Sequence, residues 1–307
     1  MTLRLHARAL SYFDAIRRAG SIREAARRLH IASSAVNRQL LELEDQIGSP
    51  LFDRLPEGLK LTAAGEVVAR HVIMVLQDAR RVDSEIDALR GIRKGEVTLW
   101  AVEGLHAAFL PGVLAAMMER YPGVRVITRP SGSGAMAAAV AQGEADAAIG
   151  FSLPRRAELT QMAVGRFAIG AVMTPEHPLA ARRTVGLNDC ARHPMLLPSA
   201  DLSVRWLLDP WLERQTRALQ IPLESGSIEL MRNLARGGVG IAFQTRLGLE
   251  AELAAGTLVF VPLRSPGALV CELGVYVRAG RAMPPALDAL IRLMAEAIER
   301  AEARETG

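Results

Sequence analysis

Seven apolar residues, Val68, Val72, Val75, Ala79, Val82, Ile86 and Leu89, follow one another at spacings of 4, 3, 4, 3, 4 and 3, with Arg, Asp and Glu between them. That period holds them on one stripe of a long helix. Sustained over three heptads, it predicts a helix that pairs with another and therefore a dimer. A helix resting only on its own domain would drift toward a period of 3.6 residues. Thr62 stands where a cap is needed, so a helix running from there to about residue 89 divides the chain into a part before it and a part after it.

The part before it reads as short helices. Leu5, Ala9, Tyr12, Phe13 and Ile16 lie at helical spacing over 3–18, and Gly20 supplies a stop. Ser21 with Glu24 three residues on predicts a capping box opening a second helix through Leu29. After the turn at 30–32, Ser33 or Ser34 can cap a third helix that carries Val36, Leu40, Leu43 and Ile47 on one face and ends at Gly48. Two short helices joined by a tight turn suit a helix-turn-helix. Extended pieces on either side of Pro56-Glu57-Gly58 predict a small hairpin, or wing.

Beyond a short basic linker at 91–95 the texture changes to α/β. Strands are expected at 96–102, 124–129 and 145–151, with helices at 110–121 and 135–142 between them, a series with crossovers long enough for a parallel sheet. A second series follows, with strands at 167–173, 195–197, 223–225 and 239–243 and helices at 204–219 and 228–236. Strands at 257–261 and 269–277 and a helix at 284–303 close the chain.

Charge sharpens the division. Of the 37 basic and 33 acidic residues in the 307, the segment 1–94 holds 16 and 12, and 95–307 holds 21 and 21. The whole net charge of +4 therefore sits at one end, as expected of a segment that meets phosphates. No basic start, apolar core and cleavage site opens the chain, and charged residues break every apolar run short of a membrane span, so a cytoplasmic address without membrane contact is expected. Cys190 and Cys271 have no CxxC pairing and no His at zinc spacing, which reads as two buried thiols and no metal site.

Residues 9–65 resemble the DNA-binding domain of LysR-type transcriptional regulators. The likeness rests on Phe13, Gly20-Ser21, Ala25-Ala26-x-x-Leu29, Ala35-x-x-Arg38-Gln39, Leu43-Glu44, Gly48, Leu51-Phe52-x-Arg54, Gly58 and Leu61-Thr62-x-Ala64-Gly65. Farther on, the matches are Phe109-Leu110-Pro111, Tyr121-Pro122, Gly143-Glu144-Ala145-Asp146, His177-Pro178-Leu179 and Gly238-x-Gly240-Ile241-Ala242. The resemblance implies an all-α winged helix-turn-helix domain at 1–62 and a dimerising linker helix at 63–92. An α/β effector-binding region at 95–307 would follow, built like a periplasmic binding protein from two Rossmann-like subdomains. One lobe would comprise 95–165 with 268–303, and the other 166–267. Partners implied are double-stranded DNA, a small-molecule effector, RNA polymerase and further copies of the chain in a homodimer or homotetramer.

Site residues follow from these placements. On the third helix Ser33, Ser34, Asn37 and Arg38 face outward once Val36 and Leu40 face inward, and the N-terminal end of such a helix reaches base edges and phosphate. Arg54 in the wing is expected on phosphate or in the minor groove. Ser33-Ser34 replaces a Gln-Pro and Asn37 a Ser that are frequent in the family, which concerns operator preference rather than fold. In an open parallel sheet, ligands settle at the carboxyl ends of strands. The corresponding loops carry Glu103, Gly104, His106, Ser131, Ser133, Phe151, Ser199 and Ser227, where a serine can either cap a helix or hold a ligand. A carboxylate at Glu103 predicts a ligand with an amine or several hydroxyls, the alternative being a salt bridge or a solvated side chain. Neither Ser131-Gly132-Ser133-Gly134 nor Gly237-Gly238-Val239-Gly240 has the context of a nucleotide loop, and no acid–base or nucleophile constellation is present, so neither a cofactor nor catalysis is expected. A cytoplasmic small-molecule-binding protein without a regulatory role is the competing reading.

Overall fold

The computed structural model describes residues 8–89, 95–216, 218–264 and 269–306. They fall into two compact units, one made of residues up to 92 with Gly280–Pro284, the other of 93–279 with 285–307.

The first unit contains α1 (Arg8–Ala19), α2 (Ile22–Leu29), α3 (Ser33–Ile47), the antiparallel hairpin β1 (Phe52–Leu55) and β2 (Gly58–Leu61), and α4 (Ala63–Leu89). The part of the first expected helix before Arg8 lies outside the described residues. Phe13, Ile16, Ala26, Val36, Leu40 and Phe52 meet in the core, with the rings of Phe13 and Phe52 5.2 Å apart. Ser21 Oγ accepts from Glu24 N at 3.5 Å, so half of the capping box forms. The Glu24 carboxylate turns instead to Arg27 and Arg28, whose hydrogen bonds hold it down to about 2. The α3 cap is also a correction: the N-cap is Ala32, no side chain caps the helix, and Ser33 and Ser34 are its first residues. Gly48 closes α3 in the left-handed conformation at φ 76°, where a glycine carries no Cβ penalty.

Thr62 caps α4 as expected, accepting from Gly65 N at 2.9 Å while donating to Pro50 O at 2.8 Å. The apolar stripe along this helix is not wholly a pairing face. Val72 is fully buried in the unit's own core and Val68 packs on it. Val75, Ala79, Val82 and Ile86 are half-buried, and the Leu89 side chain and residues 91–94 lie outside what is described. Val67 and Met74, seven residues apart and off the stripe, are 59% and 45% exposed.

The second unit runs β3 (Gly95–Ala101), a 3-10 turn Glu103–Leu105, α5 (Phe109–Arg120), β4 (Val124–Pro130), α6 (Ser133–Ala141), β5 (Ala147–Phe151) and β6 (Leu159–Met173). It continues with α7 (Leu187–Cys190), β7 (Met195–Pro198), α8 (Ser203–Leu212), β8 (Leu223–Ser225), α9 (Ile228–Arg236), β9 (Ile241–Thr245) and α10 (Glu250–Ala254), and ends with β10 (Val259–Pro262), β11 (Val270–Arg278) and α11 (Pro285–Thr306). The strand order is β4-β3-β5-β11-β6-β9-β7-β8, with β10 also on β6. In one half β3 lies parallel to β4 and β5, and in the other β7 lies parallel to β8 and β9. β6 belongs to both halves. Its 15 residues pair with β11 up to Ala168 and with β9 and β10 from Ile169 on, always antiparallel, so the expected boundary at 165/166 falls inside a continuous strand. The helix expected over 204–219 stops at Leu212, two residues after Pro210, which cannot donate to the helix ladder.

Among the described residues no helix is long and apolar enough to cross a membrane. Cys190 and Cys271 are free and buried, and burial pushes both thiols up to about 12. Because the thiolate is the reactive form, neither should react with Ellman's reagent at pH 8 until the protein is denatured. Stoichiometric labelling of the native protein within minutes would contradict this.

Candidate functional site

The outward surface of the first unit gathers at the start of α3. Ser33, Ser34 and Arg38 are exposed and Asn37 is half-buried beside the inward Val36 and Leu40. Because no side chain caps α3, the amides of Ser33 and Ser34 keep their donors for an outside acceptor, while Ala35 N donates to Ala32 O at 3.0 Å, and the helix dipole favours an anion there. Arg38 is 74% exposed and its Nε lies 3.7 Å from Glu42 Oε1, a surface pair that offers little resistance to a phosphate or a base edge. Arg54 stands exposed on β1, opposite Leu59 in the hairpin. The hairpin is tied to the helices through its backbone, since Leu59 N donates to Gly20 O at 2.8 Å.

In the second unit the carboxyl ends of the strands converge on a cleft between its two halves. Glu103, Gly104 and His106 line a cavity of about 230 Å³ together with Ile228, Glu229, Arg232 and Gln244. Phe151 lines an adjoining apolar cavity of about 40 Å³ with Val102, Leu202, Ser203, Val204 and Thr245. Gly104, Ile228, Gln244 and Leu247 border both. Ser152, directly after Phe151, has a φ of 47°, an uncommon conformation for a residue other than glycine.

The four expected serines line neither cavity. Ser133 Oγ donates to Phe151 O at 2.8 Å and is fully buried, a structural role. Ser199 Oγ donates to Asp201, and Ser131 Oγ reaches only the neighbouring Gly132 O at 3.5 Å. Ser227 caps α9, its Oγ accepting from Leu230 N at 3.2 Å and donating to Glu103 Oε1 at 2.8 Å. Ile228 N donates to the other oxygen of Glu103 at 2.7 Å. The Glu103 carboxylate therefore does not wait for an amine. It crosses the cleft to satisfy the open amide at the start of α9, where the helix dipole favours negative charge. His106 Nδ1 lies 3.2 Å from Val102 O and 3.3 Å from Glu103 O; carbonyls only accept, so Nδ1 carries the hydrogen.

Gln244 and Thr245, both buried, were not anticipated as cleft residues. The strand-end rule would have found them, but the expected strand ended at Phe243, two residues short of where β9 stops. Arg232 was likewise missed. It sits mid-helix on α9, and its ion pair with Glu252 at 3.2 Å depends on folding rather than on sequence spacing.

A winged helix with an exposed recognition helix, followed by an α/β unit with a cleft between two halves, defines a class of DNA-reading proteins joined to a sensor. Comparison with known proteins gives the family. Residues 7–66 match the model for the bacterial regulatory helix-turn-helix protein, lysR family, and residues 90–299 match the LysR substrate binding domain. The chain belongs to the LysR family of transcriptional regulators: it is a DNA-binding regulator with an effector-binding domain. It is 27% identical over 262 residues to a probable RuBisCO transcriptional regulator of Synechocystis sp., covering 83% of this chain and 76% of that protein. The RuBisCO operon transcriptional regulator of Allochromatium vinosum is 25% identical over 252 residues, covering 82% and 83%. Among solved structures, full-length OxyR from Pseudomonas aeruginosa superposes with a TM-score of 0.72 at 20% identity, covering 97% of this chain and 95% of that one, a likeness of fold.

Proposed function

We propose that this regulator binds operator DNA as a homodimer or homotetramer in the cytoplasm, and that a small molecule in the cleft of its second unit changes that binding or the contact with RNA polymerase. The DNA-binding segment is 1–62, the pairing helix 63–92 and the sensor 95–307. Ser33, Ser34, Asn37 and Arg38 meet base edges and phosphate, and Arg54 meets the backbone or the minor groove. Half-buried Val75, Ala79, Val82 and Ile86 on α4 offer the pairing surface. A ligand shifts the regulator only by binding one closure of the cleft more tightly than another.

The observation that carries this reading is the uncapped, exposed start of α3 with Arg38 beside it. Duplex DNA affinity should fall steeply and log-linearly with salt as phosphate contacts release counterions. Arg38→Ala should weaken binding to a preferred site roughly 5- to 150-fold, the loss of about 1–3 kcal/mol for a base-edge contact. Fluorescence anisotropy with labelled operator at graded salt measures both. An Arg38→Ala protein with unchanged affinity and unchanged sequence preference would remove Arg38 from the interface.

A further inference from the structure

We propose that Glu103 is a built-in anion that occupies the start of α9, so that the cleft rejects carboxylate and phosphate effectors and selects a small hydrogen-bond-donating one, an amine or a polyol. This rests on the reading of the cleft as the effector site.

Both oxygens of Glu103 are engaged, at 2.8 Å by Ser227 Oγ and at 2.7 Å by Ile228 N, from residues 124 and 125 positions away on the facing half. α9 is a full helix of nine residues, and the amides at its start are the groups that would otherwise hold a ligand's anion. An incoming carboxylate must therefore displace one that is tethered, at an effective concentration in the millimolar range or above. The approach is close elsewhere too: a Cβ on Gly248 would meet Gly104 O at 2.7 Å, so the loop bearing Glu103 lies directly on the opposite half.

What remains of the cavity is rich in acceptors. In the neutral ring with its hydrogen on Nδ1, His106 Nε2 is an acceptor, and it is buried and without a hydrogen-bond partner among the described residues. Glu229 adds a carboxylate to the lining. Arg232, the cation of the lining, is already committed to Glu252 Oε1 at 3.2 Å and to Gly248 O at 2.6 Å. Arg232 Nε makes no hydrogen bond among the described residues, but its charge is already balanced by Glu252, so an incoming anion meets the carboxylates of Glu103 and Glu229 without a spare cation, whereas an ammonium or hydroxyl finds His106 and Glu229. The volume of about 230 Å³ falls below the roughly 300–1,000 Å³ of pockets for drug-sized ligands, which limits the occupant to a small molecule.

Removing the tethered anion should open its place to a free one. Full-length wild type and Glu103→Ala are compared by thermal unfolding in sodium acetate or formate, against sodium chloride of equal ionic strength. Acetate should raise the Tm of Glu103→Ala by roughly 3–5 °C beyond chloride and leave wild type within the chloride response. Glu103→Ser carries the same comparison if the alanine variant does not fold. Acetate that stabilises wild type as much as the variant, or neither, overturns the proposal. So does a panel of putrescine, ethanolamine, ribitol, succinate and benzoate in which the amines and polyol shift wild type no more than the acids. Failure of the effector reading would look different: a cleft ligand that raises the Tm and leaves DNA affinity unchanged.

Discussion

Gly65→Ala should abolish operator binding and lower the stability of the first unit by about 3 kcal/mol or more, at or beyond the upper end of the usual cost of overpacking. A Cβ at this position would lie 2.1 Å from Leu51 O, 3.1 Å from Leu51 C and 3.0 Å from Leu61 Cδ2. The obstacle is backbone, and it is held in place. Leu51 O accepts from Thr62 N at 3.1 Å, Leu51 is fully buried, and the following Phe52 packs on Phe13. The methyl group would push α4 away from the wing and take with it the Thr62 cap, whose oxygen is bonded to Gly65 N. Gly48→Ala is the control. Its left-handed φ of 76° costs about 1–2 kcal/mol for any residue with a Cβ, but no atom lies within 4 Å of the new carbon. Chemical denaturation and anisotropy on both variants check the difference, and equal losses would show that the contact with Leu51 can relax.

Arg232→Met should destabilise the second unit by about 3 kcal/mol, the lower end of the range for stranding one partner of a buried ion pair. The side chains of Arg232 and Glu252 are 12% and 16% exposed, so the carboxylate left behind is mostly removed from water. Arg232 also donates to Gly248 O at 2.6 Å and so fastens α9 to the turn that lies on Gly104. Adding Glu252→Leu should return most of the lost stability, because two apolar side chains of similar size can replace such a pair at little cost. Urea unfolding of the single and double variants measures this. A double variant no more stable than Arg232→Met would place the cost in the Gly248 contact instead.

Elements bounded by strong local signals were legible in the sequence. β8 and α9 have the residues expected, at 223–225 and 228–236, because Gly226 and Ser227 separate a short strand from a periodic helix with its own cap. Gly48 and Thr62 mark their helix ends for the same reason. The first half of β6 was not legible: Met162 and Val164 are exposed, so the segment lacks the apolar run of a buried strand, and its pairing with β11 joins residues about a hundred positions apart. The stripe on α4 shows a different limit. Periodicity places Val68 and Val72 on one face but does not say whether that face meets α1 or a second chain. Of the cleft residues, Glu103 and His106 were found from strand-end position, while the partner of Glu103 was fixed only by the approach of the two halves.

β6 passes from one half of the sensor to the other without a break, and near the crossing Ile169 N donates to Leu269 O at 2.7 Å while Ile169 O accepts from Leu263 N at 2.9 Å. Any opening of the cleft must then twist hydrogen-bonded strands instead of swinging about a slack joint. Mechanically, such a sensor is a leaf spring: stiff, quick to return, and small in travel. Under the proposed function, its signal is a small change of angle between the two halves of the sensor.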